Sequence, residues 1–303
     1  MQLYIAGLYT SHFGVSGNLF RKIPPNAQLL RKNVRHYLES YHYIHKGKYV
    51  QEMRKDGIKC FLDSGAFSAF SLGAEIDIGA YAEFIREHQD IIIMASVLDA
   101  IGDAEGTLKN QNELERRGVE VLPCFHYGEP FEMCEYYVRN YKYMTIGGMV
   151  PIPNNKLEPW LDELWAKVLT DKDGYARNMV HGFGLTTRKL MEKYPWYSVD
   201  SSSWIQIAAH GNIVLPELQS AVAISSRSPT TKQFGRHFNT LAPESAGEVE
   251  RLLNYYGLTV EECMETHGPR WALNAFTYDM WGRQLGEDHW RKPFKGVTQT
   301  LLF

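Results

Sequence analysis

Short apolar runs alternate along the chain with stretches whose apolar positions recur every third or fourth residue. Runs at residues 3–6, 58–62, 91–98, 119–125, 143–146, 178–182 and 196–199 predict strands. Between them, Ile78, Tyr81, Ala82 and Ile85 follow Asp77 at helical spacing. Leu108, Asn112 and Glu115 sit on a polar helix that Gly118 should end, and Leu157, Leu161, Leu164 and Val168 mark another apolar stripe. Residues 216–223 predict a helix, residues 225–233 a polar loop, and residues 243–256 and 260–267 closing helices. Strands with continuous apolar faces that alternate with helices imply a parallel sheet covered by helices. With 303 residues and room for at least seven such units, the expected fold is α/β, a TIM-type (β/α)8 barrel forming one domain over residues 1–303. It would carry a basic insertion after the first strand and C-terminal closing helices.

The composition, 44% hydrophobic, supports a large core and excludes disorder. No run reaches the ~20 apolar residues of a membrane-spanning helix, and the first residues lack the pattern of a secretion signal. The expectation is a cytoplasmic protein with no membrane partner. Cys60, Cys124, Cys134 and Cys263 are scattered and form no C-x-x-C pair, so they read as buried free thiols. No glycine fingerprint for a dinucleotide or a nucleoside triphosphate is present.

Charge changes the picture. The net charge is −3, yet residues 21–59 hold ten Lys or Arg against three acids, interleaved with Tyr37, Tyr41, Tyr43 and Tyr49. Cations neutralise phosphates and aromatic faces stack on bases, so Arg31, Lys32, Arg35, Lys46 and Lys48 become candidate nucleic-acid contacts. Lys232 and Arg236, in a stretch without acids, are a second group beside Arg227 and His237. A solvated face of ordinary surface charge is the competing reading.

In a barrel the residues just after the strands surround the active site. Here these are Asp63-Ser64-Gly65-Ala66-Phe67, Asp99, His126-Tyr127-Gly128, Gly147-Gly148, Gly184 and Asp200. Carboxylates crowded in one pocket repel one another, so one should keep its proton and serve as acid or base. Another can attack an electron-poor sugar carbon, and a third can hold the edge of a heterocycle. Each of these aspartates is also a plausible helix cap or turn residue.

Leu62-Asp63-Ser64-Gly65-Ala66-Phe67-Ser68 resembles the S-D-S-G-G-F-Q motif of tRNA-guanine transglycosylases. Thr145-Ile146-Gly147-Gly148-Met149 is similar to that family's A-L-G-G-L, and Gly182-Phe183-Gly184-Leu185-Thr186 to its G-V-G-T-P. Tyr197-Ser198-Val199-Asp200-Ser201 falls where the family has its nucleophilic aspartate. The matches keep the family's order over residues 60 to 205. The closer likeness is to a divergent branch, the DNA-modifying 7-deazaguanine transglycosylases of bacteriophages and bacterial genomic islands.

The resemblance implies that guanine in DNA is exchanged for a 7-deazaguanine through a covalent deoxyribosyl–aspartate. Asp200 would be the nucleophile, and Asp63 the acid and then the base. Asp99 would hold the base edge, Phe67 would stack on the base, and Ser64, Gly65, Gly147 and Gly148 would line it. Either His126 or Tyr127 stands near the family's base-recognising Gln. DNA and the free base are the implied partners, helper proteins are possible, and no redox or nucleotide cofactor is needed. The family's zinc motif, C-x-C-x-x-C with a distant His, is absent, so no metal is expected; Cys263 and His267, with His237 or His289, are the nearest substitute. A tRNA-modifying enzyme, a non-catalytic base-binding relative and a nucleoside hydrolase are the alternatives.

Overall fold

The computed structural model describes residues 1–10, 25–46, 48–150, 152–185, 187–218 and 220–296. Eight strands form one parallel sheet: β1 (Gln2–Ala6), β2 (Tyr37–Ser40), β3 (Cys60–Asp63), β4 (Ile92–Ala95), β5 (Cys124–His126), β6 (Tyr143–Gly147), β7 (Met179–Gly182) and β8 (Ser198–Ser201). Their order in space is β4-β3-β2-β1-β8-β7-β6-β5.

The expected closed barrel is not what forms. The sheet is an open half-barrel whose edges, β4 and β5, stand 11 Å apart. A single parallel bridge, Ser96 with Leu122, crosses between the residues after β4 and those before β5. Its bonds are Leu122 N–H to Ala95 O at 2.8 Å and Val97 N–H to Leu122 O at 2.9 Å. The ladder stops there because Pro123 brings no N–H and β5 has only three residues. A cleft of about 710 Å³ opens along this seam, lined by Ile92, Ile93, Met94, Glu120, Val121 and Leu122 among others; none of Asp63, Asp99 and Asp200 lines it.

The chain divides into two compact units. The first, residues 1–4, 38–201 and 283–303, contains nearly all of the sheet. Its helices include α2 (Tyr41–Ile44), α3 (Lys48–Asp56), α4 (Ala66–Ser71), α5 (Ile78–Glu87), α6 (Ala104–Arg116), α7 (Phe131–Asn140), α8 (Asn154–Leu164) and α9 (Arg188–Lys193). Asp77 caps α5 by accepting from Ala80 N–H at 2.7 Å, and Asp103 caps α6 through Gly106 N–H at 2.9 Å. Gly118, at φ 73°, follows the end of α6. Beyond α8 the helix widens into a π turn, Trp165–Leu169, that buries Trp165 against Trp196.

The second unit, residues 5–37 and 202–282, holds α1 (Pro25–Lys32), α10 (Ser203–Ala209), α11 (Pro243–Tyr255), α12 (Val260–Glu265) and α13 (His267–Leu285, its last three residues excepted). Asn274 of α13 ties it together, accepting from Val214 N–H at 2.8 Å and donating to Trp204 O and Asn212 O at 3.2 Å. The described part of residues 216–223 is not helical. Val222–Ala223 instead pairs antiparallel with Asn212–Ile213, and Pro216 has no N–H with which to continue a helix.

The basic segment is likewise more than an insertion. It supplies β2, an inner strand of the sheet, whose Tyr37, Leu38 and Glu39 are all buried.

Candidate active site

Side chains alternate across a strand, so one face of each strand meets the covering helices and the other faces the hollow of the half-barrel. On β5, Phe125 stacks on Trp160 of α8, which turns Cys124 and His126 inward. The rings of Tyr4, Phe61 and His181 lie 4.8 to 5.9 Å apart although β1, β3 and β7 are not neighbours, so these three meet across the hollow. Asp63 is two residues beyond Phe61, and Asp200 bonds His181; both therefore share that inner face.

Asp200 is buried at the end of β8 with two donors on its Oδ1: the Gly184 N–H at 2.8 Å and His181 Nε2 at 3.3 Å. Burial lowers the His181 pKa, and the Asp200 carboxylate only partly offsets this, so the ring is neutral at pH 7. Its tautomer follows from the network. Tyr143 donates to Ser198 Oγ at 2.6 Å, Ser198 donates to His181 Nδ1 at 2.6 Å, and Nε2–H is left for Asp200. A file of buried donors thus ends on the carboxylate and fixes its rotamer, leaving Oδ2 clear of those donors. Gly184 must be glycine: its φ is 66°, and a Cβ would lie 2.3 Å from Val150.

Asp63 closes β3. Its Oδ2 accepts from Gly65 N–H at 3.0 Å, and the loop is seated by Ser64 N–H on Ser96 Oγ at 3.1 Å. Gly65 has φ 76°, and a Cβ there would stand 2.3 Å from Ser40 Oγ, so the turn admits no other residue without rearrangement. Burial, then the Asp99 and Asp200 carboxylates, push the Asp63 carboxyl up to about 7, against the lowering by the Gly65 and Ser64 N–H groups. Asp63 is therefore close enough to feel both other strand-end aspartates, and it retains a proton near neutrality.

The β4–β5 side is built differently. Asp99 follows β4, and its Oδ1 is 3.4 Å from His126 Nε2. His126 Nδ1 meets Glu129 Oε1 at 3.0 Å, while the other Glu129 oxygen accepts from His126 N–H at 3.0 Å. Burial alone would lower the His126 imidazole; its sulfur and carboxylate neighbours, Cys124, Asp99 and Glu129, outweigh that and raise it. Tyr127 leans on Trp160, with ring centroids 4.9 Å apart, so of the two residues considered for base recognition His126 is the one beside Asp99. Gly147 and Gly148 lie against this pair: a Cβ on Gly147 would meet Cys124 Sγ and His126 Cδ2 at 3.0 Å, and one on Gly148 would meet Tyr127 N at 3.1 Å. Phe67, on α4, is 63% exposed, so its face is free to receive a flat ligand.

Several residues of this arrangement, His181, Cys124, Glu129, Ser198 and Tyr143 among them, carry no role in the sequence reading. The sign of Cys124 was its place two before His126 on a strand, which puts both side chains on one face. The sign of His181 was a titratable ring inside an otherwise apolar strand.

The basic residues are dispersed. Arg31, Lys32, Arg35, Lys232 and Arg236 belong to the second unit, Lys46 and Lys48 to the first. Lys32, Lys46, Lys232 and Arg236 are exposed. Arg31 is 6% exposed, with its guanidinium carbon 5.8 Å from the Tyr9 ring centre, which removes it from any surface. Arg35 stands 3.7 Å from Asp279. His237 is buried on Ser225 O at 3.1 Å. The Lys48 side chain, Arg21, Lys22 and Thr186 lie outside the described residues.

All four cysteines are buried and free. Among the described residues, Cys263 and His267 belong to no cluster of three metal-ligating side chains, whereas Asp99, Cys124 and His126 form one. No described helix is long and apolar enough to cross a membrane. No protein-family model matches the sequence, and no curated protein matches it.

Proposed function

We propose that this chain is a pentosyltransferase that exchanges guanine in DNA for a 7-deazaguanine derivative through a covalent deoxyribosyl–aspartate. The reading rests on the sequence resemblance. The observation that supports it best is the pairing of a carboxyl held near pKa 7, Asp63, with a donor-locked carboxylate, Asp200, on one inner face. A carboxyl raised toward neutrality beside a second carboxylate held by two donors suits a reaction that needs an acid and a nucleophile together.

The target nucleotide leaves the duplex so that its glycosidic bond can be reached. Asp200 Oδ2 attacks C1′, the C1′–N9 bond breaks, and the Asp63 proton passes to the departing guanine. The incoming base then gives its N9 proton to Asp63, N9 attacks C1′, and the Asp200 carboxylate is released. Asp99 holds the N1 and 2-amino edge, His126 faces the same edge, and Phe67 stacks on the ring. Lys32, Lys46, Lys232 and Arg236 are exposed cations available to DNA phosphates, and Arg35, also exposed, is shared with Asp279. The reaction exchanges one N-glycosidic bond for another and consumes no redox equivalent. The reading places the protein in the cytoplasm, a host's if a phage encodes it.

The test is transfer of labelled 7-cyano-7-deazaguanine by the purified chain into duplex DNA and, separately, total tRNA. Label in DNA that vanishes in Asp200→Asn is the expected result. Label in tRNA alone makes the chain a tRNA-modifying enzyme, and label in neither removes the transferase reading.

A further inference from the structure

The side of the hollow that holds His126 carries a cluster in which Asp99 and His126, assigned to the base edge in the proposed exchange, are joined by Cys124, which base exchange does not use. Cys124 Sγ, His126 and an Asp99 carboxylate oxygen offer ligand atoms that all lie within 4.8 Å of one another. The set mixes thiolate, imidazole and carboxylate, the donors that bind zinc.

We propose that Asp99, Cys124 and His126 form a binding site for a zinc-type divalent cation, which cross-links the two edges of the open sheet. Asp99 follows β4 and the other two ligands lie on β5, so the ion stands where backbone pairing between these strands fails.

Four details of the site fit this role. First, His126 Nε2 and Asp99 Oδ1 are 3.4 Å apart, long for a hydrogen bond. Two atoms bound at about 2.0–2.1 Å to a tetrahedral zinc ion are about 3.3–3.4 Å apart. Second, Asp99 Oδ1 is buried and receives no hydrogen bond of ordinary geometry, a costly state for a carboxylate unless a cation meets it. Third, Glu129 takes Nδ1 at 3.0 Å and so turns Nε2 toward the cluster, as carboxylates behind metal-bound imidazoles do. Fourth, Gly147 keeps the space clear, since a Cβ there would press on both Cys124 Sγ and His126 Cδ2 at 3.0 Å.

Burial holds the Cys124 thiol up at about 11 in the absence of a cation. Binding therefore displaces the Sγ proton and the His126 Nε2 proton to solvent and forms the metal–sulfur and metal–nitrogen bonds in their place. Three protein ligands leave a fourth position for an exchangeable ligand. The proposal goes beyond the transglycosylase reading and does not depend on it. Asp99 Oδ2 stays available to a base while Oδ1 takes the ion.

The experiment uses the full chain, stripped with chelator and titrated with Co²⁺ alone. The expected result is one ion per chain, with intense visible d–d bands and a sulfur-to-cobalt charge-transfer band in the near ultraviolet. Zn²⁺ should abolish the bands and raise the melting temperature. Cys124→Ser should remove the charge-transfer band. Glu129→Gln should keep the bands but weaken affinity about 10–100-fold. Cys134→Ala, on α7, should behave as the parent. The absence of cobalt bands in the parent chain, with a melting temperature indifferent to Zn²⁺, would overturn the proposal and leave His126 as an imidazolium held by Asp99 and Glu129. Charge-transfer bands that persist in Cys124→Ser would overturn it as well. Both readouts need no substrate, so a chain that binds the ion yet transfers no base retires the proposed reaction and not the site.

Discussion

Two histidines on the inner face of the sheet meet aspartates at nearly the same distance, His181 with Asp200 at 3.3 Å and His126 with Asp99 at 3.4 Å. Their surroundings separate them. His181 sits among Tyr4, Phe61 and Phe183, accepts a hydrogen bond from Ser198, and is lowered by burial, so it is a neutral donor that positions its carboxylate. His126 has a carboxylate at each ring nitrogen and a sulfur beside it, and is raised. On the proposed readings, the same pair of residue types positions a nucleophile on one wall and binds a cation on the other. What decides is the next layer of contacts, hydroxyl in one case and carboxylate in the other.

The difference can be broken from either side. The largest effect is expected from Asp200→Asn. It should lower base exchange by about 10³-fold or more and abolish the covalent adduct on denaturing gels, because the proposed mechanism loses its nucleophile. His181→Ala, which leaves Asp200 Oδ1 with Gly184 alone, should reduce kcat by about 10–100-fold with little change in KM. It should also cost about 2–4 kcal/mol in urea unfolding, with His181→Gln recovering part of the rate. An equal loss in kcat and stability for both variants would make His181 merely structural.

Gly147→Ala tests the other wall. The added methyl group should cost about 1–3 kcal/mol and weaken cobalt binding.

The smallest effect concerns Asp63, whose folded pKa of about 7 exceeds the ~3.9 of an unfolded Asp. The folded chain holds this proton more tightly, so Asp63 subtracts nothing from stability below pH ~4. Its penalty grows as pH rises and is complete above about 7. Asp63→Asn should therefore stabilise the chelator-treated protein by about 1–3 kcal/mol at pH 8 and by nothing at pH 4. Equal stability of the two chains at pH 8 would mean that the carboxyl is not raised.

Much of this was legible in the sequence. The apolar runs that end in Asp63, Gly147 and Asp200 are strands of the sheet, and alternation alone carries those residues to one face. Other parts had no local sign. β2 reads Tyr-Leu-Glu-Ser inside a basic stretch, and its Glu39 looks like a surface residue but is fully buried. The helix α13 has no apolar stripe to detect because it is buried nearly all round. Its Arg270, Asn274 and Thr277 bond to carbonyl groups brought from residues far along the chain. Closure failed for a related reason. Whether β4 and β5 meet depends on the spacing of edges set by six other strands, which no local pattern encodes.

The position of that seam bears on how the chain folds. β4 and β5 are consecutive in sequence yet separate, whereas β1 and β8 are neighbours in the sheet, with Gln2 N–H bonded to Tyr197 O. Four-strand halves can therefore assemble one after the other as the chain emerges from the ribosome, and the joint between them waits for the last strand. Loop closure across nearly the whole chain should then limit refolding, with the slow phase more sensitive to substitutions at Tyr4 and Tyr197 than to those at Ser96.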